Sequence, residues 1–467
     1  MAKDRFIKDM TKGTPYKLLL KFAVPLFIGN VFQQFYNLVD SIVVGNYVSS
    51  NALGAIGTTN SLVFFFFSLM GGLSVGIGII ISQHFGAGNK DKVKETIGTG
   101  ISVIFVASLV VFALGFFLAR PVLTLMQTDP KILDDAVLYL RMISLGALGM
   151  GFYNGTSSVL RALGDSKSPL IFLIISCIMN VVLDLLFVLV IPMGVFGVAL
   201  GTVISHYISA VLCIVYARKT NSYFKLEKSH IKPNFVTVRK TLRLGVPVAL
   251  QNSMIAFSLI VLQGIVNSYG AVFTTAFTIV GRIESLVQQP FISLGAAMAS
   301  YTGQNIGAGR YDRVQRGFKS ANIMNFIFAA VIIFVFWVFT EPIVSMFGKD
   351  AQTLKYAVDG LRITSAFYFF LGMIYPTRNV MNGAGDAAFS VYTGIVECIG
   401  RILFTYPLTL IPFIGMYGCF YATGITWLLN GTFSVIRYKM GKWKTIKVIN
   451  KKGEDQYENH RTTSTNR

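Results

Sequence analysis

Four acidic residues lie inside long apolar stretches of this 467-residue chain: Asp40, Asp184, Glu284 and Glu397. Ionisable side chains are costly in such segments and usually serve a function. Two carboxylates among amides and hydroxyls can hold a proton, or they can coordinate a hard cation through oxygen ligands. A third interpretation is a hydrogen-bonded network that only joins helices.

The first two acids have polar neighbours at helical spacing. Asn180 precedes Asp184 by four residues, so both project from one face of a helix. Gln33, Tyr36, Asn37 and Asp40 fall at spacings of three, four and seven and predict a polar stripe on the first helix. At about 1.5 Å of rise per residue, four of these polar positions lie in one layer about 10 to 12 Å below a membrane surface: Asp40, Tyr139, Asp184 and Thr202.

We therefore predict a coupling-ion site for H⁺ or Na⁺ formed by Asp40, Asp184, Asn180, Thr202, Gln33, Asn37 and Tyr139. Asp40, Asn180, Asp184 and Thr202 carry side-chain oxygens of the kind that a hard cation prefers.

The other two acids have arginines nearby. Glu397 and Arg401 are four residues apart with the acid first, which favours an ion pair on one helix. Arg282 and Glu284 are two apart and cannot face each other. Two interpretations are open: these four residues exchange ion-pair partners, or some of them contact a substrate.

The elements that position these residues are membrane helices. Hydrophobic residues make up 53% of the chain and charged residues only 13%, which excludes an ordinary soluble protein. Twelve apolar stretches are long enough to cross a bilayer as helices. They start near Leu18, Ala52, Val93, Ile132, Pro169, Val195, Thr241, Ala271, Val314, Thr353, Phe389 and Gly415.

The net charge of +20 predicts how the chain lies in the membrane. With a cytoplasmic N-terminus, 33 of the 41 Lys and Arg residues fall in segments on the cytoplasmic side. This bias places both termini in the cytoplasm, with the chain crossing the membrane several times. Nucleic acid is not expected as a partner, because the basic residues are divided among short segments.

A repeat divides the chain into two halves. SQHFGAGNKDKV at Ser82 returns as GQNIGAGRYDRV at Gly303, an offset of 221 that recurs over some 170 residues. Each half contains six helices, so the halves are parallel repeats. We expect an N-terminal segment 1–17, an N-lobe 18–217, a basic linker 218–240, a C-lobe 241–438 and a disordered basic tail 439–467. Asp40 and Asp184 break the symmetry, which favours function over packing.

The repeat, the two GAG turns, the GRIE segment at Gly281 and the pattern PLFIGNVFQQFYNLVDSIVVG resemble multidrug and toxic compound extrusion (MATE) transporters of the MOP superfamily, nearest to the bacterial DinF-like branch. The resemblance implies an all-α membrane protein with twelve helices. It also implies ion-coupled export of amphipathic, often cationic compounds, with the ion held at Asp40, Asn180, Asp184 and Thr202.

Further expectations complete this hypothesis. Alternating access would use Pro25 as the hinge of the first helix. We expect a monomer in contact with membrane lipids, with no cofactor and no enzymatic activity. Three rivals are a flippase for lipid-linked saccharides, which would need several cationic side chains in its cavity, a membrane enzyme and a passive channel.

Overall fold

The computed structural model describes residues 6–348, 350–446 and 448–449. Their regular structure is helical, with short 3₁₀ turns and one π-helical turn at Leu186–Val190. The α-helices are α1 (Pro15–Tyr47), α2 (Ser50–Gly86), α3 (Lys90–Phe117), α4 (Ala119–Leu125), α5 (Pro130–Leu145), α6 (Ala147–Ala162), α7 (Lys167–Leu185), α8 (Gly194–Thr220), α9 (Lys228–Ile231), α10 (Phe235–Asn267), α11 (Ala271–Val287), α12 (Gln289–Gly307), α13 (Tyr311–Ser345), α14 (Ala351–Ser365), α15 (Tyr368–Ala384), α16 (Ala388–Thr409) and α17 (Gly418–Lys439).

Twelve membrane spans are built from these helices. Eight are long and apolar enough by themselves, namely α1, α2, α3, α7, α8, α10, α13 and α16. The bent pairs α5–α6 and α14–α15, with bends of 44° and 53°, form two more. In the second repeat, the pair α11–α12 corresponds to α2 and helix α17 corresponds to α8. These two complete the twelve spans.

The repeat seen in the sequence is also a repeat of structure. Helices α3 and α13 start at Lys90 and Tyr311, and helices α7 and α16 start at Lys167 and Ala388, in both cases 221 residues apart. Helices α1 and α10 start at Pro15 and Phe235, 220 apart. The N-lobe (α1–α8) and the C-lobe (α10–α17) therefore have the same helix order, as two parallel six-helix repeats require.

The two lobes meet at the end of the bundle where α1 begins and α17 ends, here called the termini end. Gln83 Nε2 donates to Gly383 O at 2.9 Å, and Gln304 Nε2 donates to Ala162 O at 2.8 Å. Both donors and both acceptors are 221 residues apart, so the two bonds are symmetry mates. The repeated Gln residues thus join the lobes.

Glycines let the lobes approach closely at this end. A Cβ on Gly86 would lie 1.9 Å from Gln304 O, and a Cβ on Gly307 would lie 1.9 Å from Gln83 O. Hydrogen bonds between the lobes reach as far as Ser68, whose Oγ donates to Ala249 O at 3.0 Å. The termini end is therefore closed by direct contact between backbones.

The segments outside the spans pack against the helix ends. Asn234, in the linker, donates to Glu95 at 2.6 Å through Nδ2. After α17, Trp443 is 1% exposed and stacks on Tyr438. The tail 439–467, which we expected to be disordered, is therefore ordered at its start. Burial of the Trp443 ring against Tyr438 stabilises this segment. Residues 450–467 lie outside the described residues, as do Lys349 and Lys447.

Candidate functional site

Two carboxyl groups lie together inside the N-lobe. Asp40 in α1 and Asp184 in the last turn of α7 are within hydrogen-bonding range of each other. Asp184 is 1% exposed, and Asp40 Oδ1 is buried without a hydrogen-bond partner. Neither residue takes part in the ion pairs that the described residues form. Two carboxylates this close repel each other unless a proton or a cation lies between them.

Asn180 and Thr202 extend this pair towards α8. With its amide oxygen facing α8, Asn180 accepts from the Thr202 backbone N–H at 3.2 Å, and its Nδ2 donates to Asp184 Oδ2 at 3.1 Å. Thr202 Oγ1 also lies 3.2 Å from the Asn180 side chain. Carboxylate, amide and hydroxyl oxygens are therefore adjacent, which is the donor set that a hard cation prefers.

The chain approaches Asp184 closely at a residue that the sequence did not single out. A Cβ on Gly201 in α8 would lie 2.5 Å from Asp184 Oδ1. The π-helical turn Leu186–Val190 follows directly after this part of α7, and such turns often occur at functional sites. The sequence did contain one signal for this close contact, since Gly201 comes immediately before the candidate ligand Thr202.

A small cavity of about 60 Å³ adjoins these residues. Gln33 and Tyr36 of α1 line it, together with Asn180, Thr202 and His206. The volume suffices for a few water molecules or an ion and is too small for a drug-sized ligand. His206 was also missed in the sequence, although it follows Thr202 by four residues and so shares its helix face.

The other predicted residues divide between this site and a different face. Tyr139 lies near both Asp40 and Asp184, within range of electrostatic interaction. Asn37 instead faces the space between the lobes, so the predicted polar stripe of α1 splits into two. Pro25 lies inside α1, which is continuous from Pro15 to Tyr47. Proline lacks the N–H that would bond back along the helix, so this position is a natural bend point.

The polar residues of the C-lobe form a separate cluster. Arg401 donates from Nη2 to Glu397 Oε1 at 2.9 Å and from Nη1 to Ser258 Oγ at 2.8 Å. Asn430 donates to Glu397 Oε2 at 3.3 Å. Glu284 is buried within electrostatic range of Arg401 and close to Tyr368. Arg401 lies 221 residues after Asn180, so the position that holds an amide in the N-lobe holds a positive charge here.

Two chambers lie between the lobes. The proximal chamber, nearer the termini end, has a volume of about 210 Å³ and is lined by Leu26, Asn30, Arg161, Ser293 and Ser300 among others. The distal chamber, of about 250 Å³, is lined by Gln34, Phe35, Asn37, Leu38, Ser41, Arg282, Ser285, Leu286 and Phe347. Asn30 Nδ2 donates to Ser293 Oγ at 3.2 Å across the lobes. Arg282, unlike Glu284, thus faces the interlobe space.

Both lobes of this chain match a protein-family model. The model of the MatE family matches residues 25–186 and 247–407, one block in each lobe. The chain belongs to the MatE family. Both matched blocks are centred on the lobes described above, and the first contains Asp40, Asn180 and Asp184.

Two curated relatives of this MatE chain come from Bacillus subtilis. It is 29% identical over 447 residues to "Probable multidrug resistance protein YpnP" of Bacillus subtilis strain 168, covering 95% of this chain and 99% of that protein. It is 30% identical to "Probable multidrug resistance protein YoeA" of the same strain, covering 84% of this chain and 86% of that protein.

The fold is shared with solved structures. A multidrug resistance MATE transporter of the MOP superfamily in an outward-facing conformation superposes with a TM-score of 0.86 at 20% identity, covering 96% of this chain and 100% of that one. The all-α fold with twelve membrane helices in two repeats, predicted from the sequence, is therefore confirmed.

Proposed function

We propose that this protein is an ion-coupled antiporter that exports small amphipathic organic compounds across the bacterial inner membrane by alternating access. Its curated relatives are multidrug resistance proteins, which supports export of drug-like molecules. The observation that carries ion coupling is the contact between the carboxyl groups of Asp40 and Asp184, which form no ion pair with a basic side chain of the described residues.

The separation of these two carboxyl groups controls how tightly a cation is bound. A proton or Na⁺ between them removes their repulsion, so the cation is bound tightly only while both groups are close. Asp184 is held by Asn180 and by the close approach of Gly201. Asp40 is carried by α1, which also contacts the C-lobe through Asn30. Movement of α1 would therefore change both the affinity for the cation and the packing of the lobes.

This arrangement satisfies the requirement for coupling. A ligand shifts a conformational equilibrium only when it binds the two states with different affinity. The termini end is closed by the Gln83 and Gln304 hydrogen bonds, and the distal chamber lies beyond the contacts between the lobes. We assign this structure to the outward-open state, in which the coupling ion enters and the substrate leaves. Pro25 would allow α1 to bend during the change.

The experiment that tests this function is export in everted membrane vesicles. A fluorescent organic substrate is followed under an imposed pH gradient, and separately under an imposed Na⁺ gradient. Asp40→Asn and Asp184→Asn should each abolish the response to the gradient, because an amide cannot carry the ionic charge. Whichever gradient drives the parent protein identifies the ion.

A matched control uses Asp359→Asn, which changes an acid in α14 of the C-lobe that accepts a hydrogen bond from Tyr417. This variant should keep the parental gradient response. Parental rates in both site variants, at equal amounts of folded protein, would contradict the assignment of Asp40 and Asp184.

A further inference from the structure

Two arginines face the interlobe space. Among the described residues that line the proximal chamber, Arg161 is the one with a charge. In the distal chamber, Arg282 is the one with a charge. The other lining side chains are apolar or neutral and polar. Each chamber wall therefore carries one positive charge and, among the described residues, no negative one.

Neither arginine is neutralised by a carboxylate. The ion pairs formed by the described residues include neither Arg161 nor Arg282. The acids nearest to them in sequence are engaged elsewhere: Asp165 accepts from Ser168 Oγ at 2.5 Å, and Glu284 is buried in the C-lobe cluster. Arg161 is half-buried beside Tyr153 and Cys213, whereas Arg282 is exposed. Among the described residues, therefore, no carboxylate competes with a ligand for either guanidinium group.

The two chambers have helix α1 in common. Helix α1 lines the proximal chamber with Leu26 and Asn30, and the distal chamber with Gln34, Asn37 and Ser41. These positions recur every three or four residues, so they form one face that extends over about 22 Å. The facing wall runs from Arg282 in α11 to Ser300 in α12. A solute that moves along α1 passes both arginines.

The chemistry of these walls selects against cations. A fixed guanidinium repels a cationic ligand and gives a carboxylate, sulfonate or phosphate two parallel charge-assisted hydrogen bonds. Phe35, Leu38, Leu286 and Phe347 supply apolar contacts around Arg282. Asn37 and Ser41 can form hydrogen bonds with neutral polar groups of a ligand. This combination fits a molecule with one acidic group and an apolar body.

We propose that the substrate is an amphipathic organic anion, whose acidic group binds Arg161 in the proximal chamber and Arg282 in the distal chamber. This inference rests on the proposed export function and replaces the cationic class that the family resemblance implied. The carboxylates of the ion site do not oppose it, because Asp40 and Asp184 face the interior of the N-lobe.

The test compares two probes that share the xanthene ring system and differ in charge, the anion carboxyfluorescein and the cation rhodamine 123. Gradient-driven export of each is measured in everted vesicles for the parent, Arg161→Gln, Arg282→Gln and Arg282→Lys. The control is Arg120→Gln, which removes a surface arginine paired with Asp134. Equilibrium binding of both probes to the purified proteins separates affinity from turnover.

We expect the parent to export carboxyfluorescein. Each Gln variant should bind it about tenfold more weakly, since a charge-assisted hydrogen bond is lost. Arg282→Lys should retain part of the affinity, because it keeps the charge without the bidentate geometry. Arg120→Gln should match the parent.

Three results would overturn the proposal. Export of rhodamine 123 but not carboxyfluorescein would refute the anionic class and leave the antiporter function intact. Carboxyfluorescein binding that is equal in the parent and both Gln variants would refute the role of the arginines. Absence of gradient-driven export of either probe would count against the proposed function itself, and the inference would fail with it.

Discussion

The position of the Asp184 carboxylate depends on Gly201, which packs against it. Asp40, Asn180, Asp184 and Thr202 were predicted as a group from their depth in the membrane and from the four-residue spacing of Asn180 and Asp184. The two aspartates also lack matching acids in the second repeat. The structure places the four residues together. Their role in ion binding stays a prediction. The contribution of Gly201 was not predictable, because it depends on the distance between α7 and α8, which sequence spacing within one helix does not contain.

Gly201→Ala tests this contact. The new Cβ would lie 2.5 Å from Asp184 Oδ1, so the carboxylate or the helix must move. Crowding a well-packed site by one methyl group costs about 1 to 3 kcal/mol. We expect affinity for the coupling cation, measured as the ion concentration that gives half-maximal export, to fall about tenfold.

The matched control is Gly57→Ala in α2, where a Cβ would meet nothing within 4 Å. Both changes replace a mid-helix glycine, so any gain in helix propensity is the same. An unchanged ion dependence in Gly201→Ala would show that the carboxylate tolerates displacement.

At the scale of elements, α2 and α12 control closure of the termini end. Their GAG turns were interpreted from the sequence as structural because they obey the repeat. The structure gives the reason, since Gly86 and Gly307 each touch the backbone of the opposite helix at a Gln residue. The sequence shows that these turns repeat. It does not show that the two copies contact each other.

Gly86→Ala should loosen this closure. Its Cβ would lie 1.9 Å from Gln304 O, a contact that cannot form without separating the helices. In a protein lacking its four native cysteines, a single cysteine at Ser300 in the proximal chamber reports the opening. A membrane-impermeant thiol reagent added on the termini side should react at least about fivefold faster in the variant.

Gly71→Ala is the control on the same helix, because a Cβ there has no neighbour within 4 Å. Its labelling rate should equal that of the parent. Equal rates in Gly86→Ala as well would mean that this contact does not hold the end closed.

For the whole molecule, the distribution of charge predicts the orientation. Lys90 begins α3 at the termini end, and Lys131 lies in the first turn of α5 at the opposite end. The excess of basic residues at the termini end places Lys90 in the cytoplasm. Single cysteines at these two positions are labelled in intact cells with an impermeant reagent.

Only the cysteine at Lys131 should react from outside. Labelling in permeabilised cells is the control, since both positions should then react. Reaction of the Lys90 cysteine alone in intact cells would reverse the proposed topology.

The sequence alone predicted the class of protein, the number and order of its membrane spans, and the two aspartates, Asp40 and Asp184, that lack a symmetry mate. These predictions follow from hydropathy and periodicity, which are properties of one helix at a time. The packing of the helices was needed to show that Asn37, Arg161 and Arg282 line the interlobe chambers and that Trp443 is buried. The physical reason is that the direction of a side chain fixes its surroundings only once the neighbouring helices are in place.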